Sequence, residues 1–327
     1  MDIEKRLIEQ ACSFLKKGEL VVIPTETVYG LAADATNDQA VAKIYQLKQR
    51  PQFNPLIIHI KSLGEAQQWA LFPDLAKKLA TVFWHSHPSP LTLVLNKKPY
   101  TSLSSLVTAG LDTVAVRVPF HPVALALLDE YKNPLAAPSA NRSMSISPTT
   151  SFAVQRSLGL QTPYILEGGD CPVGLESTII DLSGDQPVLL RPGATTIEML
   201  EKVLGEPISP YQGSNLKAPG MMKRHYAPSL PLRINCLTAN LGEALLGFGS
   251  DRSENATLNL SVSGNLVEAA ANLFSMLNQL DNSALYSGIA VMPIPSTGIG
   301  IAINDRLQRG AYLPDLPYLD DELHQLT

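Results

Sequence analysis

A chain of 327 residues with 45% hydrophobic and 17% charged side chains is an ordinary globular sequence with ample core material, enough for about two domains. Its net charge of −5 argues against a protein that coats nucleic acid nonspecifically, though not against a local basic patch. Three scattered cysteines, Cys12, Cys171 and Cys236, form no CxxC pair, which speaks against a thiolate metal site and for a reducing compartment.

Ile3, Leu7, Ala11 and Phe14/Leu15 recur at helical spacing with Gly18 as the stop, the pattern of an amphipathic helix and not of a signal peptide. No stretch reaches the ~18 apolar residues that a membrane span needs, so a cytoplasmic protein is expected. ELVVIP reads as a buried strand ending in TETVYG. A helix capped by Asn37 or Asp38 runs through Leu47, and PLIIHI is the next strand. Helical stretches follow at 64–71 and 74–84, then the strands LTLVLN and TVAVRVP and a helix over 122–131 with proline in its first turn. PLAAP is a short strand. Ser147-Pro148 reads as an N-cap and N1 proline that start a helix through Leu158. PYILEGG, STIIDLS and PVLLRPG complete the strands, and 195–204 is helical.

These signals predict a mixed α/β domain over 1–207 whose sheet is not purely parallel, because some strands follow each other without crossover helices. Residues 208–229 have the composition of a linker, interrupted by the cationic-aromatic cluster MMKRHY. A smaller α/β domain over 230–327 is predicted from the strands LRINCL and GIAVMPI and from helices near 239–246, 265–279 and 300–308.

The absence of GxxxxGKS/T, HExxH and GxSxG narrows the chemistry. TGIGIAIN begins like GxGxxG but has Ile303 for the third glycine, so it reads as a close-packed turn. Lys48 and Arg50 end a helix, where they either cap it or form an anion receptor. Pro51 biases Arg50 toward an extended conformation that lets both cations converge. Ser139, Asn141 and Ser147 add neutral donors and a helix end, together what a polyphosphate requires. Glu26 and Thr27 belong either to a turn with Gly30 at positive φ or to a site. Arg117 is either on a solvent face or a fork for a carboxylate. Arg191 before Pro192 repeats the Arg50–Pro51 pattern, His59 is a core or a site residue, and His85 and His87 make a weak metal pair.

PTETVYGLAADA, LKQRPQFNPLIIHI, PLTLVL, TAGLDTVAVRVP, AAPSANRS followed by SPT, GLESTIIDL, LLRPG, APGMMKRHYAP and GIGIAINDRL, in this order, resemble the Sua5/YrdC/YciO family. The RHYAP and INDRL segments resemble its two-domain form, that of the L-threonylcarbamoyladenylate synthases. The resemblance implies a twisted mixed-sheet YrdC-like domain plus a smaller Rossmann-like C-terminal domain. It implies condensation of ATP, L-threonine and bicarbonate or CO2 into threonylcarbamoyl-AMP and pyrophosphate, the first step of tRNA t6A37 modification. The product would pass to tRNA threonylcarbamoyltransferase machinery. Lys48 and Arg50 would be catalytic and would bind ATP with Thr113, Ser139, Asn141, Ser147, Arg191, His225 and Tyr226. Thr25, His59, Arg117 and Ser177 would hold threonine. Mg²⁺ would ride mainly on the ATP phosphates, and His225 and Tyr226 would fold over the nucleotide as a lid. The pattern departs at FWHSHPSPLT, with His87 and Ser89 for a usual tryptophan and glycine, and at Met144 for a usual glycine.

Two other readings stand beside this one. A non-catalytic protein of the same fold could bind double-stranded RNA or tRNA through Lys43, Lys48 and Arg50. A carbamoyl-transfer relative from hydrogenase maturation would need zinc-finger cysteine spacing, which is missing.

Overall fold

The computed structural model describes residues 3–84, 90–213, 215–250 and 255–312. His85, His87 and Ser89 lie outside the described residues. In chain order the first unit holds α1 (Ile3–Lys16), β1 (Val21–Ile23), β2 (Gly30–Asp34), α2 (Asp38–Lys48) and β3 (Ile57–His59). Next come α3 (Leu63–Trp69), α4 (Asp74–Phe83), β4 (Leu91–Asn96), α5 (Ser105–Thr108), β5 (Thr113–Arg117) and α6 (Pro122–Tyr131). It closes with β6 (Leu135–Ala136), α7 (Ser151–Leu158), β7 (Tyr164–Ile165), β8 (Thr178–Asp181), β9 (Val188–Arg191), α8 (Ile197–Leu204) and β10 (Ser209–Pro210).

The strands form a ten-stranded sheet in the order β10-β9-β8-β4-β5-β3-β6-β2-β1-β7. Pairing is mixed, parallel for β3–β5 and β4–β8 and antiparallel for β4–β5 and β8–β9. On one face Ile44 and Tyr45 of α2 and Leu79 and Phe83 of α4 pack over Leu31, Ile58, Leu93 and Val116. On the other, Ala11 and Leu15 of α1 and Leu127 of α6 cover Val21, Ile23 and Ala32. The rest of that second face, Ile57, Val94, Ala115 and Ile179, lies under Tyr211, Ala218 and Met221 of the predicted linker. The linker therefore roofs part of the sheet.

The second unit comprises β11 (Leu232–Arg233), β12 (Glu243–Gly247), β13 (Leu258–Asn259), α9 (Leu266–Leu280), β14 (Gly288–Val291) and α10 (Gly300–Ala311). Its sheet, β11-β14-β12-β13, is parallel throughout, the arrangement expected of a Rossmann-like unit. Leu246, Ile289 and Val291 pack against Leu273 and Phe274 of α9 and Ile303 and Leu307 of α10.

Several local expectations are corrected. The helix expected near 239–246 is β12: Ala244, Leu245 and Leu246 are all buried between two parallel neighbours, and burial on both faces overrides the helical preference of Ala and Leu. Gly30–Asp34, unmarked as a strand in the sequence, is the fully buried β2. Gly30 has no positive φ; it is small because an added Cβ would meet the Ala137 side chain at 3.3 Å. Ser147 does not cap α7. Thr150 does, accepting from the Ala153 amide, and Ser147-Pro148-Thr149 precede the helix.

Candidate active site

The mixed topology gathers polar residues at one end of the large sheet. His59 and Arg117 end the parallel strands β3 and β5 and face each other in register. Thr92, near the start of antiparallel β4, is the next partner of Arg117. Ser177 precedes β8 and Arg191 ends β9, at the same edge. Arg50, His59, Arg117, Ser139, Glu176, Arg191 and His225 line one cleft there.

Each cation is held by the fold. Arg50 donates from Nε to the Asn54 carbonyl (3.1 Å) and from Nη2 to Asn54 Oδ1 (2.7 Å) and the Pro55 carbonyl (2.8 Å). Burial lowers its pKa to about 10, so it stays charged near neutrality. Arg191 donates to the Ser177 carbonyl (3.0 Å) and hydroxyl (3.2 Å), and Ser177 also meets the Thr92 hydroxyl at 2.7 Å. Arg117 does not face solvent. Its Nη2 pairs with Glu26 Oε1 at 2.7 Å and with Thr27 Oγ1 at 2.8 Å, while Glu26 Oε2 accepts from the Phe120 amide. The fork therefore already carries one carboxylate.

Hydrogen-bonding capacity remains unused at and beside the cleft. His59 Nδ1, Arg117 Nε, His225 Nδ1 and the Tyr226 hydroxyl are buried without a hydrogen-bond partner. Each such group costs about 1–3 kcal/mol unless something completes it. Burial, and then the Arg117 charge, brings His59 down to about 3. Burial and the charges of Arg50, Lys48, Arg191 and Arg306 hold His225 well below the usual histidine range. Both rings are neutral at physiological pH. Tyr226 sits in the left-handed region at φ 61°, stacks on Phe274 at 5.6 Å and makes an edge contact with His225 at 4.0 Å. That backbone conformation is uncommon for a bulky residue.

Other expected residues are placed differently. Lys48 is 2% exposed, and its three ammonium protons go to the carbonyls of Ser139 (2.6 Å) and Asn141 (2.6 Å) and to Asn141 Oδ1 (3.3 Å). It braces the 139–141 turn and has no donor left for a phosphate. The surface patch of Lys43, Lys48 and Arg50 does not form either, since Lys48 and Arg50 are buried and Lys43 pairs with Glu19. The left-handed Gln49 closes α2 through backbone bonds, so the two cations are not its caps. Asn141 spends its amide on Ser145, and Ser147 donates to Glu176. The Thr25 hydroxyl folds into its own turn, bonding the Val28 carbonyl and the amides of Thr27 and Val28. Thr113 begins β5, four residues or roughly 13 Å from Arg117 on the same sheet face. It is not brought to the cleft. Met144 has φ 70°, which explains why glycine is usual there.

Sequence reasoning missed Asn54, Glu176 and Arg306. The one available signal was Arg306 standing within the apolar stripe Ala302, Ile303, Leu307 and Gly310 of α10. A larger cavity of about 560 Å³, bounded by Phe14, Lys43, Leu47 and Tyr164, offers the Lys43–Glu19 pair and the amides of Gln46 and Gln161, with Lys43 as the one cation in its lining. Among the described residues no group of three or more His, Cys, Asp or Glu could hold a metal, and none of the helices is long and apolar enough to cross a membrane.

A family model for Sua5/YciO/YrdC proteins, described as "Telomere recombination", matches residues 13–193. The chain belongs to the Sua5/YrdC/YciO family. A second model, "Threonylcarbamoyl-AMP synthase, C-terminal domain", matches residues 195–311. The chain is 40% identical to the threonylcarbamoyl-AMP synthase of Pyrococcus abyssi, covering 94% of this chain and 95% of that one. It is 40% identical to the Bacillus subtilis enzyme of the same name, covering 93% and 92%. The crystal structure of P. abyssi Sua5 complexed with L-threonine superposes with a TM-score of 0.85 at 38% identity, covering 95% of each chain.

Proposed function

We propose that this protein is a threonylcarbamoyl-AMP synthase that joins L-threonine, bicarbonate or CO2, and ATP, and so begins tRNA t6A37 modification. The observation that carries this reading is the set of buried, unpartnered polar atoms His59 Nδ1, Arg117 Nε, His225 Nδ1 and Tyr226 Oη near Arg50 and Arg191. Such a wall suits a ligand with several anionic groups.

The threonine amine adds to CO2 and loses a proton, giving a carbamate. A carbamate oxygen then attacks the α-phosphorus, the bond to the β-phosphate breaks, and pyrophosphate leaves with the electron pair. Neither step needs a covalent protein nucleophile. Arg50 and Arg191 stabilise charge on the phosphates, where preorganised donors act most strongly. Ser139, Asn141 and Ser147 shape that wall, and Lys48 braces it. Threonine lies in the corner of His59, Arg117, Ser177 and Thr25. Thr113 is within reach only of the base end of the nucleotide. Glu176 at the cleft and Glu26 beside Arg117 are both paired with arginines, so the chain does not fit a Mg²⁺ cage of its own; Mg²⁺ enters as the ATP complex. The three free cysteines suit a cytoplasmic setting.

The cleft encloses only about 40 Å³, far less than the roughly 300–1,000 Å³ of small-molecule sites. Pro219, Gly220 and His225 form its roof. Residues 218–228 are therefore a lid that opens for ATP and closes to exclude water. The test is pyrophosphate release with threonine, bicarbonate and ATP omitted in turn. Dependence on all three, lost in Arg50→Ala with the fold retained, is expected; release that ignores threonine rejects the reading. Lys48→Met separates brace from ligand, because a brace loses stability in urea unfolding and a mere phosphate contact does not.

A further inference from the structure

Arg306 heads the largest side chains that are fully buried, and it lies on α10 of the second unit. Its neighbours Ala302, Ile303 and Leu307 pack into that unit's own core. Arg306 reaches out of it. Nε donates to Glu176 Oε2 at 3.0 Å, Nη1 donates to the Pro192 carbonyl at 2.9 Å, and the guanidinium lies over the Tyr226 ring at 5.1 Å. Glu176 adjoins Ser177, Pro192 adjoins Arg191 and Tyr226 adjoins His225. One side chain thus ties three separate segments of the cleft wall.

Electrostatics gives the tie a purpose. Glu176 lines the cleft, and its other oxygen accepts from Ser147. Burial pushes its carboxyl up, but Arg306, Arg191 and the Ser147 hydroxyl outweigh that and hold it below the usual carboxylate range. The groups facing it are Arg306 from α10, Arg191 from β9, Ser147 from the segment before α7, and Tyr226 from the lid; Asp305 touches Arg306. Arg50, His59, Arg117 and His225 line the same cleft. An uncompensated carboxylate in that wall would repel a triphosphate.

We propose that Arg306 is a positioning residue of the nucleotide site: it neutralises Glu176 and fixes the Glu176, Pro192 and Tyr226 segments around ATP. The inference rests on the synthase reading above. It makes the second unit part of the nucleotide site without contact to substrate.

The test is ATP titration calorimetry on the full chain at about pH 6 and pH 8, for wild type, Arg306→Gln, Glu176→Gln and the double variant, with threonine-dependent pyrophosphate release alongside. Arg306→Gln should weaken ATP about tenfold or more at the higher pH. The loss should be smaller at the lower pH, where an unpaired buried carboxyl takes up a proton. The double variant should recover most of the loss and its pH dependence should vanish. A double variant as weak as Arg306→Gln, or a loss equal at both pH values, overturns the proposal. If Arg306→Gln does not fold, Arg306→Lys carries the test: its charge still neutralises Glu176 although its fork and stack are lost, so any loss of ATP affinity should be equal at both pH values, and a loss that grows from pH 6 to pH 8 overturns the proposal. Wild type that fails to bind ATP overturns the synthase reading and this inference together. Wild type that binds, with no rescue in the double variant, overturns this inference alone.

Discussion

His59 is the last residue of β3, buried beside Arg117 with one ring nitrogen unpartnered. Its pKa near 3 in the fold compares with about 6.5 in an unfolded chain. Above pH 6.5 neither state protonates the ring, and its stabilising contribution is fully present. As pH falls from 6.5 toward 3, the unfolded chain binds a proton that the folded chain refuses, so stability drops by about 1.4 kcal/mol per pH unit. Burial lowers His121 and His225 in the same direction, which steepens the loss. Urea unfolding between pH 6.5 and pH 4.5 should show this decline, and His59→Gln should remove about 1.4 kcal/mol per pH unit from its slope. An unchanged slope would mean that the folded ring does accept a proton. The same ring, neutral, lining the cleft and with Nδ1 unpartnered, is suited to hydrogen-bond an uncharged or anionic group of a substrate.

At the scale of elements, the segment 147–158 separates two functions that the sequence merges. Thr150 caps α7, and Ser147 bonds Glu176 in the cleft. Thr150→Ala should therefore cost about 0.5–2 kcal/mol of stability with the ATP KM retained. Ser147→Ala should leave α7 intact, as read by helical circular dichroism, and raise that KM. A reversed pattern would return the cap to Ser147. The misreading has a physical origin: Ser-Pro and Thr-Ser are both acceptable helix starts, and only the tertiary demand of Glu176 for a donor chooses between them. Strands with β-branched runs, such as TVAVR and STIID, were legible because Val, Ile and Thr favour strands. EALLG and GLAAD were not, because Ala, Leu and Gly carry no strand preference and become strands only between neighbours. Likewise Lys48 and Arg50 were visible as a pair. That one would be consumed by carbonyls 91 and 93 residues away follows from topology alone.

On the scale of the whole molecule, a net charge of −5 coexists with Lys48, Arg50, Arg117, Arg191 and Arg306, all buried around one cleft. Net charge sums buried and exposed side chains alike, so it does not reveal a site built from cations withdrawn from the surface. Buried charges hold their places only where their partners are fixed, since leaving one unpaired costs about 3–5 kcal/mol. Here the partners come from both units, so the cleft depends on how they dock. Gly174 sits against α9 in that docking. It lies at φ 72° just before Leu175 and Glu176, and an added Cβ would stand 2.5 Å from the Ala271 carbonyl oxygen and 2.6 Å from the Ala271 Cα of α9. Neither backbone atom can move aside without displacing the helix. Gly174→Ala should cost about 1–2 kcal/mol from the left-handed conformation alone. Relief of the clash then requires the second unit to shift away from Glu176, loosening Arg306 and the Tyr226–Phe274 stack. The variant should therefore unfold at lower urea and show a raised ATP KM, although Gly174 does not line the cleft. Lower stability with unchanged KM would show that the units dock without setting the site, and the nucleotide would then be held by the first unit and the lid alone.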